Sequence, residues 1–148
     1  MRWSTIAGCV GNGYAMDGIK MNSWIFVALG GAIGSVARFK LSGWVLEQAT
    51  DWRFPLGTFL VNVLGCLFIG GLAGLAVKED FFTTESRLFL FTGITGGFTT
   101  FSALGLETFY LLRRGDLLVA GGYVSASLIC GLLALWLGYA LMSSSIGR

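Results

Sequence analysis

The sequence predicts an all-α integral membrane fold with four spanning helices, the third of them broken, and three observations carry that reading. The 148 residues are 55% hydrophobic and only 12% charged, with a mean hydropathy of +0.76. Charged clusters divide the apolar sequence into four segments, each close to the roughly 20 residues that one helical crossing needs. Within one of those segments lies Gly93 to Ser102, a run poorly suited to helix. Gly93 to Thr100 alone holds Gly93, Gly96 and Gly97 with Thr95, Thr99 and Thr100, and each interior glycine weakens a helix by about 1 kcal/mol relative to alanine. Backbone groups freed inside a bilayer must find partners, so a break there survives only against protein or a water-filled cavity. Discontinuous membrane helices of this kind form sites for ions and small polar solutes. The alternative is close helix packing through small residues. The added hydroxyls of the threonines and Ser102 exceed what packing requires, which favours a site.

Taken in order, residues 1–21 form an N-terminal extension unlike the rest, with Arg2, a weakly apolar Trp3 to Val10, and Asp17. Ile6-Ala7-Gly8-Cys9 faintly matches a lipoprotein cleavage site, but the apolar core is short and broken. The stretch reads as a loosely ordered extension or as a start placed ahead of Met21. Residues 22–146 form a single four-helix transmembrane domain.

The first span, Ser23 to Leu46, aligns Gly30, Gly34, Arg38 and Ser42 at steps of four on one face. Arg38 reads equally as a residue snorkelling to the headgroups and as an inward positive charge drawing an anion. Polar Glu47 to Arg53 make a loop, and Pro55 opens the second span, Pro55 to Val77, where its missing N–H does no harm. Thr58, Asn62, Cys66, Gly70 and Gly74 form a small and polar seam along it. Asn62, at the seam's centre, offers two uncharged N–H donors, which suits an anion that must also be released.

After the charged Lys78 to Arg87 comes the broken third span, Leu88 to Leu112. Its Glu107 is either a functional intramembrane carboxylate or a partner of Arg113 and Arg114 near the helix end. Asp116 is the expected N-cap of the last span, which runs to Met142 and aligns Tyr123, Ser127 and Gly131. Tyr123 could anchor at the interface, but its register with Ser127 favours a hydroxyl track.

Composition excludes several classes. No histidine occurs, which removes the usual metal ligand and proton shuttle, so an enzyme is not expected. The net charge of +2 comes without a basic run, so no nucleic-acid partner is expected. Cys9, Cys66 and Cys130 lack metal-type spacing, and the latter two read as small buried residues. With four spans, Arg2, Lys20, Lys78, Arg87 and Arg148 face Arg38, Lys40, Arg53, Arg113 and Arg114 across the bilayer. The positive-inside rule gives no orientation from that tie, and counting from Met21 leaves three against five, still a weak bias. Insertion both ways would let two oppositely oriented copies pair about a two-fold axis in the membrane plane.

Gly30-Gly31-x-x-Gly34-x-x-x-Arg38, Pro55-x-Gly57-Thr58-x-x-Val61-Asn62-x-x-Gly65 and Gly93-x-x-Gly96-Gly97-x-Thr99-Thr100-Phe101-Ser102, in that order and at membrane spacing, together resemble the bacterial CrcB/Fluc fluoride channels. The likeness covers roughly residues 22 to 146. It implies an antiparallel, dual-topology homodimer in the inner membrane, with two pores that let fluoride leave the cytoplasm. It further implies that Asn62 lines the pore, that Phe101 contributes a ring edge, and that Arg38, Tyr123 and Ser127 belong to the path. The carbonyls of Gly96 and Thr99 from both subunits would hold a structural Na⁺ at the dimer centre. Leu104 stands where the family commonly has a second phenylalanine, and Gly131 where a further hydroxyl is often found.

The residues suit that chemistry. Fluoride holds its water tightly, so a path must offer strong donors yet let go. Asn62, Ser102, Tyr123 and Ser127 supply amide and hydroxyl donors, and phenyl edges carry the positive part of the ring quadrupole. Two other classes stay open from sequence: a small dual-topology cation or drug exchanger, which needs a membrane-centred carboxylate, and a non-transporting assembly subunit.

Overall fold

The computed structural model describes residues 23–48, 53–77 and 82–144. The N-terminal stretch, with Cys9 and Lys20, lies outside them, as do Lys78 and Arg148. α1 (Ser23–Gln48) and α2 (Leu56–Leu75) are continuous helices. The third crossing, Thr84–Arg113, is assembled from α3 (Thr84–Arg87), a π-helical stretch (Leu88–Thr95), α4 (Gly96–Phe98) and α5 (Phe101–Arg113). α6 (Leu117–Ser144) completes the bundle. All four crossings are long and apolar enough to span a bilayer. The chain is a multi-pass membrane protein.

Local chemistry sets the ends of these elements. Pro55 stands at the N-cap of α2, one place earlier than expected, and its carbonyl accepts the Phe59 N–H at 3.1 Å. Thr83 caps α3 by accepting the Ser86 N–H at 3.2 Å. α5 ends at Gly115, whose φ of 81° suits a residue without Cβ. There the Gly115 N–H reaches the Leu112 carbonyl, and the Asp116 N–H reaches that of Leu111, both at 3.0 Å. Asp116 then starts α6 by accepting the Ala120 N–H at 2.9 Å.

Glycines let the backbones meet. A Cβ at Gly30 would stand 2.5 Å from the Phe89 carbonyl oxygen, one at Gly97 would stand 2.5 Å from that of Gly31, and one at Gly34 would overlap that of Ile94. α1 is thereby seated on the first half of the third crossing. α2 and α6 cross in the same manner, Gly70 against the Leu135 carbonyl and Gly138 against that of Leu67. Inside lipid no hydrophobic force drives helices together, so this close approach supplies the dispersion contact that does. Gly93 and Gly97 thus serve packing, and the interruption of the helix falls on the threonines that follow.

A small core of Leu104, Leu111, Ala120 and Tyr123 sits between α5 and α6, with Phe54, Phe59 and Val119 against it. The Phe54 ring meets Tyr123 edge-on at 5.2 Å and Phe59 at 5.4 Å. Cys66 and Cys130 are free and half-buried rather than fully buried as expected, because both helices that carry them keep one flank on the outer surface.

Candidate functional site

The break lies at Thr99 and Thr100, whose backbones are extended (ψ 157° and 116°) between α4 and α5. Just before it, the π-helical stretch directs the Gly96 N–H to the carbonyls of Gly93 and Phe91. Such wide turns store a local mismatch and recur at functional positions. Polar groups released by the extended pair are then met one by one. Asn62 takes both sides of a single residue: its Oδ1 accepts the Thr100 N–H at 2.8 Å, and its Nδ2 donates to the Thr100 carbonyl at 3.1 Å. Ser35 Oγ donates to the Gly97 carbonyl and Arg38 Nη1 to the Thr99 carbonyl, each at 3.4 Å. Thr99 Oγ1 donates to the Thr95 carbonyl at 3.0 Å, and Thr95 Oγ1 to that of Leu90 at 2.9 Å. Thr100 Oγ1 caps α5 by accepting the Ala103 N–H at 3.2 Å.

One sequence expectation changes in this light, and one open alternative is decided. Asn62 does not present two free donors, since one N–H is committed to Thr100 and one remains. Arg38 is half-buried and turned to the break, not to the headgroups.

A second cluster lies one turn nearer the start of α2. Glu107 accepts from Thr58 Oγ1 at 2.7 Å and from the Tyr123 hydroxyl at 2.6 Å. Tyr123 is 0% exposed, which rules out the interfacial anchor. Glu107 is half-buried against these hydroxyls, and among the described residues no ion pair joins it to Arg113 or Arg114. One turn along α6 from Tyr123, the buried Ser127 Oγ has no hydrogen-bond partner among the described residues. An orphaned buried hydroxyl costs free energy unless something visits it. Sequence reasoning left Glu107 undecided and named Thr58 only as part of the seam. The signal was present in the spacing, because Thr58 stands one turn before Asn62 and Glu107 follows the break in the same helix.

Phe101, Ser102 and Gly96 face outward, and Leu104 does not. Phe101 is 83% exposed and Ser102 is exposed beside it, its Oγ 3.2 Å from Thr100 Oγ1. Leu104 points the other way, buried in the core with Tyr123. Gly96 is exposed too, and the Thr100 N–H that an unbroken helix would give its carbonyl is bonded to Asn62 instead.

The profile of the family described as "CrcB-like protein, Camphor Resistance (CrcB)" matches residues 25–139. A protein of Methylobacillus flagellatus named "Fluoride-specific ion channel FluC" is 57% identical over 122 residues, covering 82% of this chain and 95% of its own length. The chain belongs to the CrcB family. Relatives of the same name come from Opitutus terrae, 47% identical over 80% of this chain and 91% of theirs, and from Methylocella silvestris, 42% identical over 78% and 89%. The CrcB match takes in the crossing glycines, the Asn62 clamp, the break, and the Glu107–Tyr123 cluster together. These are channel proteins by name, not enzymes.

Proposed function

We propose that the chain is a fluoride-selective channel that lets F⁻ leave the cytoplasm down its gradient and so confers fluoride resistance. The observation that carries this is the broken third crossing pinned by Asn62, in a chain 57% identical to a protein named as a fluoride channel. The spare Asn62 N–H and the Ser102 hydroxyl replace water around the ion without a fixed charge that would trap it. The Phe101 ring edge adds a weaker positive contact. Beyond the break, the unpartnered Ser127 Oγ continues the track, beside Tyr123, whose own O–H is given to Glu107. Leu104 packs behind this wall and supplies no ring. The carboxylate that an exchanger would need, Glu107, is engaged at both oxygens by hydroxyls, so a cation-exchange cycle is not favoured.

Phe101 and Ser102 lie on the surface of the single subunit, which supports a path completed by a second copy. An antiparallel homodimer would build two such paths about its two-fold axis. The exposed Gly96 beside the half-buried break suits a sodium ion at that axis. The Gly96 carbonyl is deprived of its helical N–H, and the Thr99 carbonyl accepts only a long 3.4 Å bond from Arg38, which Na⁺ would have to displace. Those two carbonyls from each copy would hold Na⁺, which would neutralise the convergence of carbonyl dipoles and lock the pair. Efflux of fluoride from liposomes containing the purified protein tests the proposal. Flux well above that of empty vesicles, with chloride excluded, is the expected result, and flux equal to empty vesicles refutes it.

A further inference from the structure

Beyond the lining itself, a cavity of about 230 Å³ opens above Glu107 and Thr58. Ser42 of α1, Gly57 in the first turn of α2, and Arg53 at its rim also line it. Arg53 is the one cation among the described lining residues, and Glu107 the one anion. The Arg53 guanidinium donates from Nη1 to Asp116 Oδ1 at 3.2 Å, with Arg53 78% exposed and Asp116 22%. Asp116 is held in place by the glycine turn that ends α5, so the pair joins the loop before α2 to the start of α6 at the open end of the cavity.

An exposed pair of this kind contributes little to stability. Its position does more. An anion moving between solvent and the Glu107 cluster approaches a carboxylate, and a cation at the rim offsets that repulsion. We propose that Arg53 is the electrostatic entry residue for small anions at this mouth and that Asp116 tempers it by binding part of its charge. The inference rests on the fluoride-channel reading and deepens it: Arg53 sets the rate of arrival and not passage through the lining.

The test is fluoride efflux from liposomes at fluoride well below saturation, with ionic strength varied from about 0.01 M to about 1 M using a salt of a bulky organic anion. Over that range the screening length falls from about 30 Å to about 3 Å. Arg53→Gln is expected to lower flux about threefold to fivefold at low ionic strength, the size of one unit charge felt through water at contact distance. Asp116→Asn is expected to raise it, and both differences are expected to vanish at high salt and at saturating fluoride. If the two substitutions change flux in the same direction, or if the changes ignore salt, the pair is only a structural tie and the inference is overturned. Wild-type vesicles that pass no fluoride overturn the channel reading and this inference together, whereas wild-type flux with salt-blind variants overturns the inference alone.

Discussion

Asn62 binds both the N–H and the carbonyl of Thr100, so the same side chain repairs the broken backbone and leaves one donor for an ion. Asn62→Asp replaces Nδ2 by an oxygen, which faces the Thr100 carbonyl without a hydrogen between them and adds negative charge to the path. Fluoride flux in the liposome assay is expected to disappear, and unchanged flux would remove Asn62 from the lining. Tyr123 works differently, because its hydroxyl donates to Glu107 Oε2 at 2.6 Å. Tyr123→Phe keeps the ring among Phe54 and Leu104 but strips a donor from a half-buried carboxylate. Losing one partner of a buried polar pair costs about 1–3 kcal/mol. The expected outcome is a lower unfolding temperature in detergent together with reduced flux, and an unshifted melting curve would show that water replaces the hydroxyl.

Among the helices, contact is made by absence of side chains. The Gly34 position is closed by the Ile94 carbonyl and the Phe98 N–H, whereas a Cβ at neighbouring Gly31 would meet nothing within 4 Å. Gly34→Ala must therefore push α1 from the third crossing, at the roughly 1–3 kcal/mol typical of overpacking, and Gly31→Ala must not. Thermal unfolding of the two variants side by side checks this, with equal melting temperatures as the contrary result. The displaced α1 carries Ser35 and Arg38, whose bonds to Gly97 and Thr99 would lengthen, so flux in Gly34→Ala is expected to fall as well. Crossings of α2 and α6 at Gly70 and Gly138 hold the Asn62 and Tyr123 sides of the track in register by the same means.

At the scale of the whole molecule, a four-helix subunit has too little interior to enclose a path. The residues proposed to line the path are accordingly divided between an inner set and the exposed Phe101 and Ser102. Pairing of oppositely inserted copies would close that path. An even split of basic residues between the two sides would leave insertion without a preferred direction. A C-terminal tag is expected to be accessible from both faces of the membrane in intact cells, and labelling from one face alone would exclude the antiparallel pair. Replacing sodium by N-methylglucamine on both sides of the vesicle is expected to lower fluoride flux, with recovery when sodium returns. Flux indifferent to the exchange would dismiss the cation at Gly96 and Thr99.

Hydropathy and spacing by themselves determined the four crossings, the interruption in the third, and the motifs of the family, because apolar length and runs of glycine and threonine act locally and are written in consecutive residues. Asn62, Tyr123 and Ser127 were legible as a polar set from steps of four along single helices. What only the tertiary structure decided depends on which helix stands beside which. Glu107 became an interior acceptor because α2 brings Thr58 and α6 brings Tyr123 to it, and Arg38 turned to the break because glycines seat α1 there. One of the two Asn62 donors proved to be committed because Thr100 lies opposite, a distance of 38 residues in sequence that no periodicity records. Side-chain hydrogen bonds in lipid are set by the partner within reach, and reach across a bundle is a property of packing.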